Sequence, residues 1–146
     1  MIFHDQVTCR DTGLQVGVST HMPDVVDAVE SKGWDIDFYM TCVYERHRTR
    51  EELLGLLGHV PLPLREVYLE SDPPRVYEAI RATGRTCLAF KILAAGRLCE
   101  SADQVDAAFR ATFEGIKPTD AVIVGMYPEY TDQVAENAAL TIRYGA

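Results

Sequence analysis

The sequence predicts an α/β fold built on a parallel sheet, because strand-like and helix-like segments alternate four times along the chain. The first, third and fourth strand-like segments are almost wholly apolar, which is typical of strands covered on both faces. A chain of 146 residues that is 47% hydrophobic and 25% charged has the size and composition of one globular domain, 1–146. Four such units fit either a small open doubly wound sheet or half of an eightfold barrel, and the periodicity alone does not choose between them.

The first two units begin in the amino-terminal third of the chain. The first pairs a strand at 14–19 with a helix that begins at Pro23, since proline suits the first helical turn. The second strand, 36–43, is rich in aromatic and β-branched residues. Its helix begins near Asp72, which we expect to be the N-cap because aspartate accepts hydrogen bonds from free backbone amides there.

An insertion at about 45–72 separates the second strand from its helix. Thr49 and Glu52 stand three residues apart in a capping-box pattern, which predicts a short helix. A short apolar segment, 67–69, follows a proline-spaced stretch. The insertion therefore adds structure between the second strand and its crossover helix.

The last two units complete the alternation. The apolar stretch 86–100 is followed by Ser101 and Gln104, a second capping-box pattern, which opens an amphipathic helix. The fourth strand lies at 121–126, and its helix spans about 132–144. This order of strands and helices implies right-handed crossovers between parallel strands.

Charge and composition exclude several classes of protein. A formal charge of −8 argues against an extended surface for DNA or RNA, although a small phosphorylated ligand needs no net positive charge. No apolar run approaches the roughly 20 residues that cross a bilayer, and the amino terminus lacks a signal-peptide pattern, so we expect a cytoplasmic protein without a membrane segment. The cysteines show no metal-site or disulfide spacing, and we interpret all four as free thiols: Cys9, Cys42, Cys87 and Cys99.

Three motifs resemble the aldo-keto reductase superfamily. VGVSTHMPDVVDAVESKGWDIDFYM, residues 16–40, is similar to its fifth strand, fifth helix and sixth strand. CLAFKILAAGRL, 87–98, resembles the seventh strand, and AVIVGMYPEYTDQVAENAAL, 121–140, the eighth strand and following helix. The resemblance covers about 14–141 and implies the C-terminal half of a (β/α)8 TIM barrel, with four parallel βα units and an insertion after the second strand.

By this resemblance, eleven positions would bind a nicotinamide dinucleotide, NADP or NAD. They are Ser19 and Thr20 beside the carboxamide, Phe90 on the nicotinamide ring, Ala94, Ala95 and Gly96 at the pyrophosphate, Gly125 and Met126 at the adenosine phosphate, and Gln133, Glu136 and Asn137 around the adenine. The family's tyrosine, lysine, aspartate and histidine tetrad belongs to the first four units. We therefore expect an oxidoreductase fragment or subunit for a small carbonyl substrate, without the proton donor.

Lys91 and His21 are the candidate catalytic residues. Lys91 could act as a Schiff-base nucleophile in an apolar pocket, or contact a cofactor or anion at the end of the third strand. It could also simply pair with a neighbouring carboxylate such as Glu45 or Glu129, or extend to the solvent-exposed rim. His21 follows the first strand and could act as an acid or base near neutral pH. The structural alternative for His21 is a packed or helix-capping histidine, which we favour.

Two other groupings admit a functional interpretation. The basic run 46–50 could attract a substrate carboxylate or phosphate, but we interpret it as a solvated loop at the entrance to a helix. Four residues could be drawn as metal ligands, yet their spacing matches no ligand pattern, so we expect no metal site: His21, Cys42, Glu45 and His47.

A four-stranded half-barrel predicts association, because it leaves two sheet edges and one apolar face exposed. We expect a homodimer, or a complementary half-barrel chain as partner. Two alternatives to the oxidoreductase remain open. One is a catalytically silent truncated barrel, and the other is a barrel lyase that uses Lys91 as its nucleophile.

Overall fold

The computed structural model describes residues 12–61 and 66–145, and its centre is one sheet of four parallel strands. The strands are β1 (Gly17–Thr20), β2 (Phe38–Cys42), β3 (Thr86–Phe90) and β4 (Ala121–Ile123), in that spatial order. The predicted α/β class with a parallel sheet is confirmed. Predictions about Cys9, the amino-terminal segment and residues 62–65 lie outside the described residues.

Five α-helices accompany the strands in the described part of the chain: α1 (Pro23–Lys32), α2 (Arg50–Leu57), α3 (Asp72–Ala82), α4 (Ala102–Gly115) and α5 (Gln133–Tyr144). Each strand lies beside the next one in sequence, so right-handed crossovers place the connecting helices on one face of the sheet. Helices α1, α3, α4 and α5 accordingly contact one another in a row. This single winding is compatible with half of a barrel and differs from a doubly wound sheet. Among the described helices, none has the length and apolar content to cross a membrane.

Local capping signals set the starts of two helices as predicted. The Thr49 hydroxyl accepts the Glu52 amide at 3.2 Å and the Glu52 carboxylate accepts the Thr49 amide, which completes the capping box of α2. The Ser101 hydroxyl accepts the Gln104 amide at 3.2 Å and starts α4. Both contacts satisfy amides that have no partner within the helix.

The prediction that Asp72 caps α3 is wrong. Ser71 occupies the N-cap, without a side-chain capping bond. The Asp72 carboxylate instead accepts the Leu69 amide at 3.2 Å and pairs with Arg48. The segment 67–69 forms no strand. A long-range ion pair thus takes the carboxylate that the local pattern assigned to the helix.

The two faces of the sheet differ in burial. Tyr39, Thr41, Cys87 and Ala89 face the helices and are fully buried. Alternate residues face the other way and remain partly exposed: Phe38, Met40, Leu88, Phe90 and Ile123. We call these five the uncovered face. The expectation that apolar strands are covered on both faces is therefore wrong for the described part of the chain.

Three cysteines are free thiols, as predicted. Cys42 and Cys87 are buried and Cys99 is exposed. Burial raises the pKa of the Cys87 thiol to about 11, and it also raises the pKa of Cys42. These two buried thiols therefore stay protonated at neutral pH and pack as small apolar side chains.

Candidate functional site

Residues that follow the first three strands meet at the carboxyl edge of the sheet, where parallel strands all end. His21 comes directly after β1, Arg46 and His47 shortly after β2, and Lys91 directly after β3. One terminal nitrogen of Arg46 lies 2.8 Å from His21 Nε2. The His21 ring packs edge-on against His47 at 5.0 Å and Phe90 at 5.3 Å between centroids. The two candidate catalytic residues thus lie in one neighbourhood.

Tyr68 is the centre of a group of charged side chains in this neighbourhood. The Arg97 guanidinium lies 4.2 Å above its ring and that of Arg46 5.8 Å away, both within cation–π range. Lys91 Nζ donates to the Tyr68 hydroxyl at 3.4 Å, and that hydroxyl donates to Glu66 at 3.1 Å. We call Arg46, Lys91, Arg97, Glu66 and Tyr68 the cationic cluster.

Glu66 supplies the carboxylate that Lys91 faces. Its oxygens pair with Arg46 and lie 4.0 Å from Lys91 Nζ. Lys91 therefore faces a carboxylate, as one of its alternatives held, but this carboxylate is neither Glu45 nor Glu129, since Glu45 pairs with arginines and Glu129 accepts a tyrosine hydroxyl. The reason is topological, because the insertion after β2 returns across the end of β3.

Burial and neighbouring cations lower the pKa values of His21 and Lys91. Burial, followed by the charges of Arg46, His47 and Lys91, holds the pKa of His21 below its usual value. Burial, then the charges of Arg46 and Arg97, likewise lowers the pKa of Lys91 against an opposing effect of Cys42. Because arginine only donates, His21 Nε2 must accept, which assigns the ring proton to Nδ1. His21 is therefore neutral, and its Nε2 has no proton to deliver while Arg46 is bound.

A second feature, the β3–β4 pocket, opens between the carboxyl ends of those strands with a volume of about 570 Å³. Lys91 lines it together with six of the positions predicted for a dinucleotide: Phe90, Ala95, Gly96, Gly125, Met126 and Gln133. The predicted ring-stacking position and two of the three predicted pyrophosphate positions thus share one cavity.

The remaining predicted positions lie elsewhere. Ser19 is exposed on the side of the sheet away from the helices, whereas the Thr20 hydroxyl is buried and bonds the Met22 backbone at 3.0 Å. Ala94 is buried beneath its loop. Glu136 and Asn137 line a separate groove of about 350 Å³ between α4 and α5. Six of the eleven predicted positions therefore share the β3–β4 pocket, whereas two of the three predicted adenine positions, Glu136 and Asn137, line a different groove.

The loop that joins Phe90 to Arg97 contains strained backbone. Lys91, Ala94 and Ala95 have φ of 61°, 49° and 53°, and they are the non-glycine residues with positive φ in the described part of the chain. Each such residue costs on the order of 1 kcal/mol and persists where surrounding structure holds it, frequently at functional sites. Gly96, at φ 89°, continues the same turn.

The basic run 46–50 is not a solvated loop, contrary to our interpretation. The side chains of Arg46 and Arg48 are only 8% and 7% exposed. Arg46 turns into the cationic cluster, while Arg48 pairs with Asp72 and Glu45. Arg50 alone remains exposed among the three arginines, at the first position of α2. Arg46 therefore lies in the candidate site, whereas Arg48, two residues later, forms buried ion pairs elsewhere.

Sequence reasoning missed Glu66, Tyr68 and Arg97 as members of one site. A usable signal was the position of the insertion, because loops after the carboxyl ends of barrel strands form sites in that architecture. The structure does not bring the four candidate metal ligands together as a metal site. Among the described residues, no group of three His, Cys, Asp or Glu is placed to hold a metal ion.

Comparisons with known proteins identify no relative. No family model matches the chain, and neither a curated protein nor a solved structure does. The aldo-keto reductase resemblance therefore stays a prediction from the sequence, to be weighed by the geometry of the site.

Proposed function

We propose that this chain is the nicotinamide-dinucleotide-binding half of a barrel oxidoreductase of the aldo-keto reductase type, with NADP or NAD as cofactor and a small carbonyl compound as substrate. One observation carries the proposal. Six positions that the resemblance assigns to the cofactor line a single pocket at the carboxyl ends of neighbouring strands. Sites of parallel α/β folds form at that edge.

The residues of the pocket have separable tasks in this proposal. The partly exposed ring of Phe90 offers a flat apolar surface for a nicotinamide ring. The turn at Ala95 and Gly96 brings backbone to the pocket wall, and Lys91 supplies positive charge beside it. A bound dinucleotide would supply hydride transfer. The neutral His21 bonds Arg46, so the proposal assigns proton donation to another group, on the completing half of the barrel.

Cofactor titration tests the proposal. NADH and NADPH are titrated while their fluorescence is followed, and saturable binding of either is expected. Failure to respond up to millimolar ligand supports instead the alternative of a catalytically silent truncated barrel. The same titration on two variants locates the phosphates.

The variants are Ala95→Asp and Ala95→Asn, which have nearly the same shape and both tolerate positive φ. A carboxylate about 6 Å from a phosphate costs on the order of 1–2 kcal/mol at a protein surface, or about tenfold in Kd. Ala95→Asp should therefore bind about tenfold more weakly, and Ala95→Asn within about threefold of the parent. Equal affinities for the two variants would exclude this loop as the pyrophosphate site.

The completed barrel requires a second component. β1 and β4 each have one neighbour in the described sheet, and the uncovered face presents Met40, Leu88 and Ile123 to solvent. We propose that a second copy of the chain, or a complementary half-barrel chain, covers this face. Size-exclusion chromatography with light scattering should show a dimer or a co-purifying partner, and a stable monodisperse monomer would refute this part of the proposal.

A lyase is the second candidate, and the environment of Lys91 favours it. Lys91 borders the pocket and its amine has a lowered pKa, as an imine-forming lysine requires. The amine would attack a carbonyl carbon, form a C=N bond and release water. Borohydride then traps the imine, and mass analysis of peptide 86–100 locates it. If Lys91 is unmodified after incubation with a ketone or aldehyde, the lyase is excluded.

A further inference from the structure

We propose that the cationic cluster binds the oxyanion group of a small ligand, a carboxylate or a phosphate, and that Glu66 is an internal counter-ion which the ligand replaces. The cluster contains three basic side chains, Arg46, Lys91 and Arg97, and one carboxylate. The whole chain has a formal charge of −8. A local excess of positive charge in so acidic a chain needs a reason, and an anionic ligand provides one.

Glu66 already places one carboxylate among these donors. Its carboxylate pairs with Arg46, accepts the Tyr68 hydroxyl at 3.1 Å and lies 4.0 Å from Lys91. Its side chain is 50% exposed, whereas that of Arg46 is 8% exposed. The carboxylate can therefore turn into water at small cost while the buried guanidinium stays in place. A ligand oxyanion would then accept hydrogen bonds from the same donors.

Arg46 has a donor that Glu66 leaves unused. One terminal nitrogen bonds His21 and the other pairs with Glu66, but the buried Nε has no hydrogen-bond partner in the described structure. Nε and the nitrogen that meets Glu66 form one edge of the guanidinium, the edge that carboxylates and phosphates engage with two oxygens. A ligand that uses both oxygens satisfies a buried donor that the internal carboxylate does not.

The pKa values of neighbouring groups are consistent with a site that has an excess of positive charge. The pKa values of His21 and Lys91 are both lowered, by burial first and then by the surrounding cations. A bound anion opposes the second cause. The pKa of His21 should therefore rise when the site is occupied, which offers a direct spectroscopic signal.

Anion binding by the cationic cluster does not depend on a dinucleotide in the neighbouring β3–β4 pocket. Lys91 borders both features, and Phe90 contacts His21, so an oxyanion in the cluster lies next to the proposed nicotinamide position. Together they name the substrate class as a small carbonyl compound that carries a carboxylate or phosphate. That last statement rests on the proposed function, whereas anion binding itself does not.

The test uses the full chain without dinucleotide. Inorganic phosphate and pyruvate are titrated at constant ionic strength against chloride, and the His21 ring resonances are followed by NMR. Saturable shifts with a higher pKa for His21 are expected from at least one probe, and the stronger probe identifies the ligand's oxyanion. Shifts no larger than those of chloride would overturn the anion site, while NADH titration reports separately on the dinucleotide proposal.

Three variants at exposed positions make the test specific. Glu66→Gln removes the internal competitor and should tighten anion binding about fivefold, because the competent state is then populated without displacement. Arg97→Met keeps an apolar stem on Tyr68 but loses the charge, and should weaken binding about tenfold. Arg50→Met, which lies outside the cluster, is the matched control and should change nothing. Weaker binding by Glu66→Gln, or equal losses in the two arginine variants, would refute the proposal.

Discussion

Two arginine–aspartate pairs of the same chemistry but different burial offer a decisive stability experiment. The side chains of Arg48 and Asp72 are 7% and 3% exposed, whereas those of Arg75 and Asp24 are 49% and 68% exposed. Asp72→Asn and Asp24→Asn each replace a carboxylate by an amide of similar shape. If burial decides what an ion pair is worth, the two substitutions must differ strongly.

The expected magnitudes follow from what each substitution leaves behind. Loss of one partner from a buried pair costs about 3–5 kcal/mol, because the other charge stays out of water. Glu45 Oε2 lies 3.5 Å from Arg48 and its carbonyl also accepts from Arg48, so Asp72→Asn should fall at the lower end, about 3 kcal/mol. An exposed pair contributes about 0–1 kcal/mol, which is the expected cost of Asp24→Asn.

Urea unfolding followed by the fluorescence of Trp34 measures both values. Trp34 is partly buried and packs against the core, so its emission should report the loss of tertiary structure. The parent, Asp24→Asn and Asp72→Asn are compared at pH 7, with the slope of the transition checked for constancy. A difference between the two variants below about 1 kcal/mol would refute the argument that the burial of Arg48 makes its partner indispensable.

Two further substitutions probe packing and pH. A Cβ at Gly115 would overlap the Tyr77 ring, so Gly115→Ala should destabilise the fold by about 1–3 kcal/mol in the same assay, and an unchanged midpoint would show that the ring moves freely. The pKa of Glu30 is lowered from its ordinary value of 4.5. Burial alone would raise it, but hydrogen bonds from Tyr39 and Thr83 and the charge of Arg85 together outweigh the effect of burial. The stabilisation is therefore complete above pH 4.5 and lost as pH falls through the lowered pKa, so the parent's advantage over Glu30→Gln should shrink from pH 7 to pH 3; a pH-independent difference would contradict this.

Local signals in the sequence predicted the elements well, because they act over a few residues. Pro23 begins α1, and the Thr49–Glu52 capping box begins α2, both as expected. Asp72 shows the limit of such signals, since a carboxylate before a helix looks like a cap whether or not an arginine 24 residues earlier claims it. The same long-range pairing explains why the local pattern of the basic run 46–50 does not predict the burial of Arg46 and Arg48. Its neighbours in space come from residues far along the chain.

For the candidate site, too, the sequence predicts positions at the strand ends but not the side chains that the insertion brings to them. The alternation of elements predicts that the strand ends share one edge of the sheet, whereas Phe90, Gly96 and Gly125 were selected by the aldo-keto reductase resemblance, and the structure places these three around one cavity. Side chains carried by the insertion could not, because no local pattern shows where Tyr68 returns to the sheet. Geometry there depends on the whole fold.

At Lys91, a single backbone angle connects the local strand pattern with the long-range contacts of the site. Alternation along β3 assigns Phe90 to the uncovered face and would turn the next residue toward the helices. The strand ends at Phe90, however, and φ of 61° at Lys91 takes its side chain out of that alternation, toward the Tyr68 hydroxyl. Phe90 and Lys91 therefore join the uncovered face, the β3–β4 pocket and the cationic cluster within two residues. The proposed partner on that face would border the site directly, so assembly and ligand binding should be measured on the same preparation.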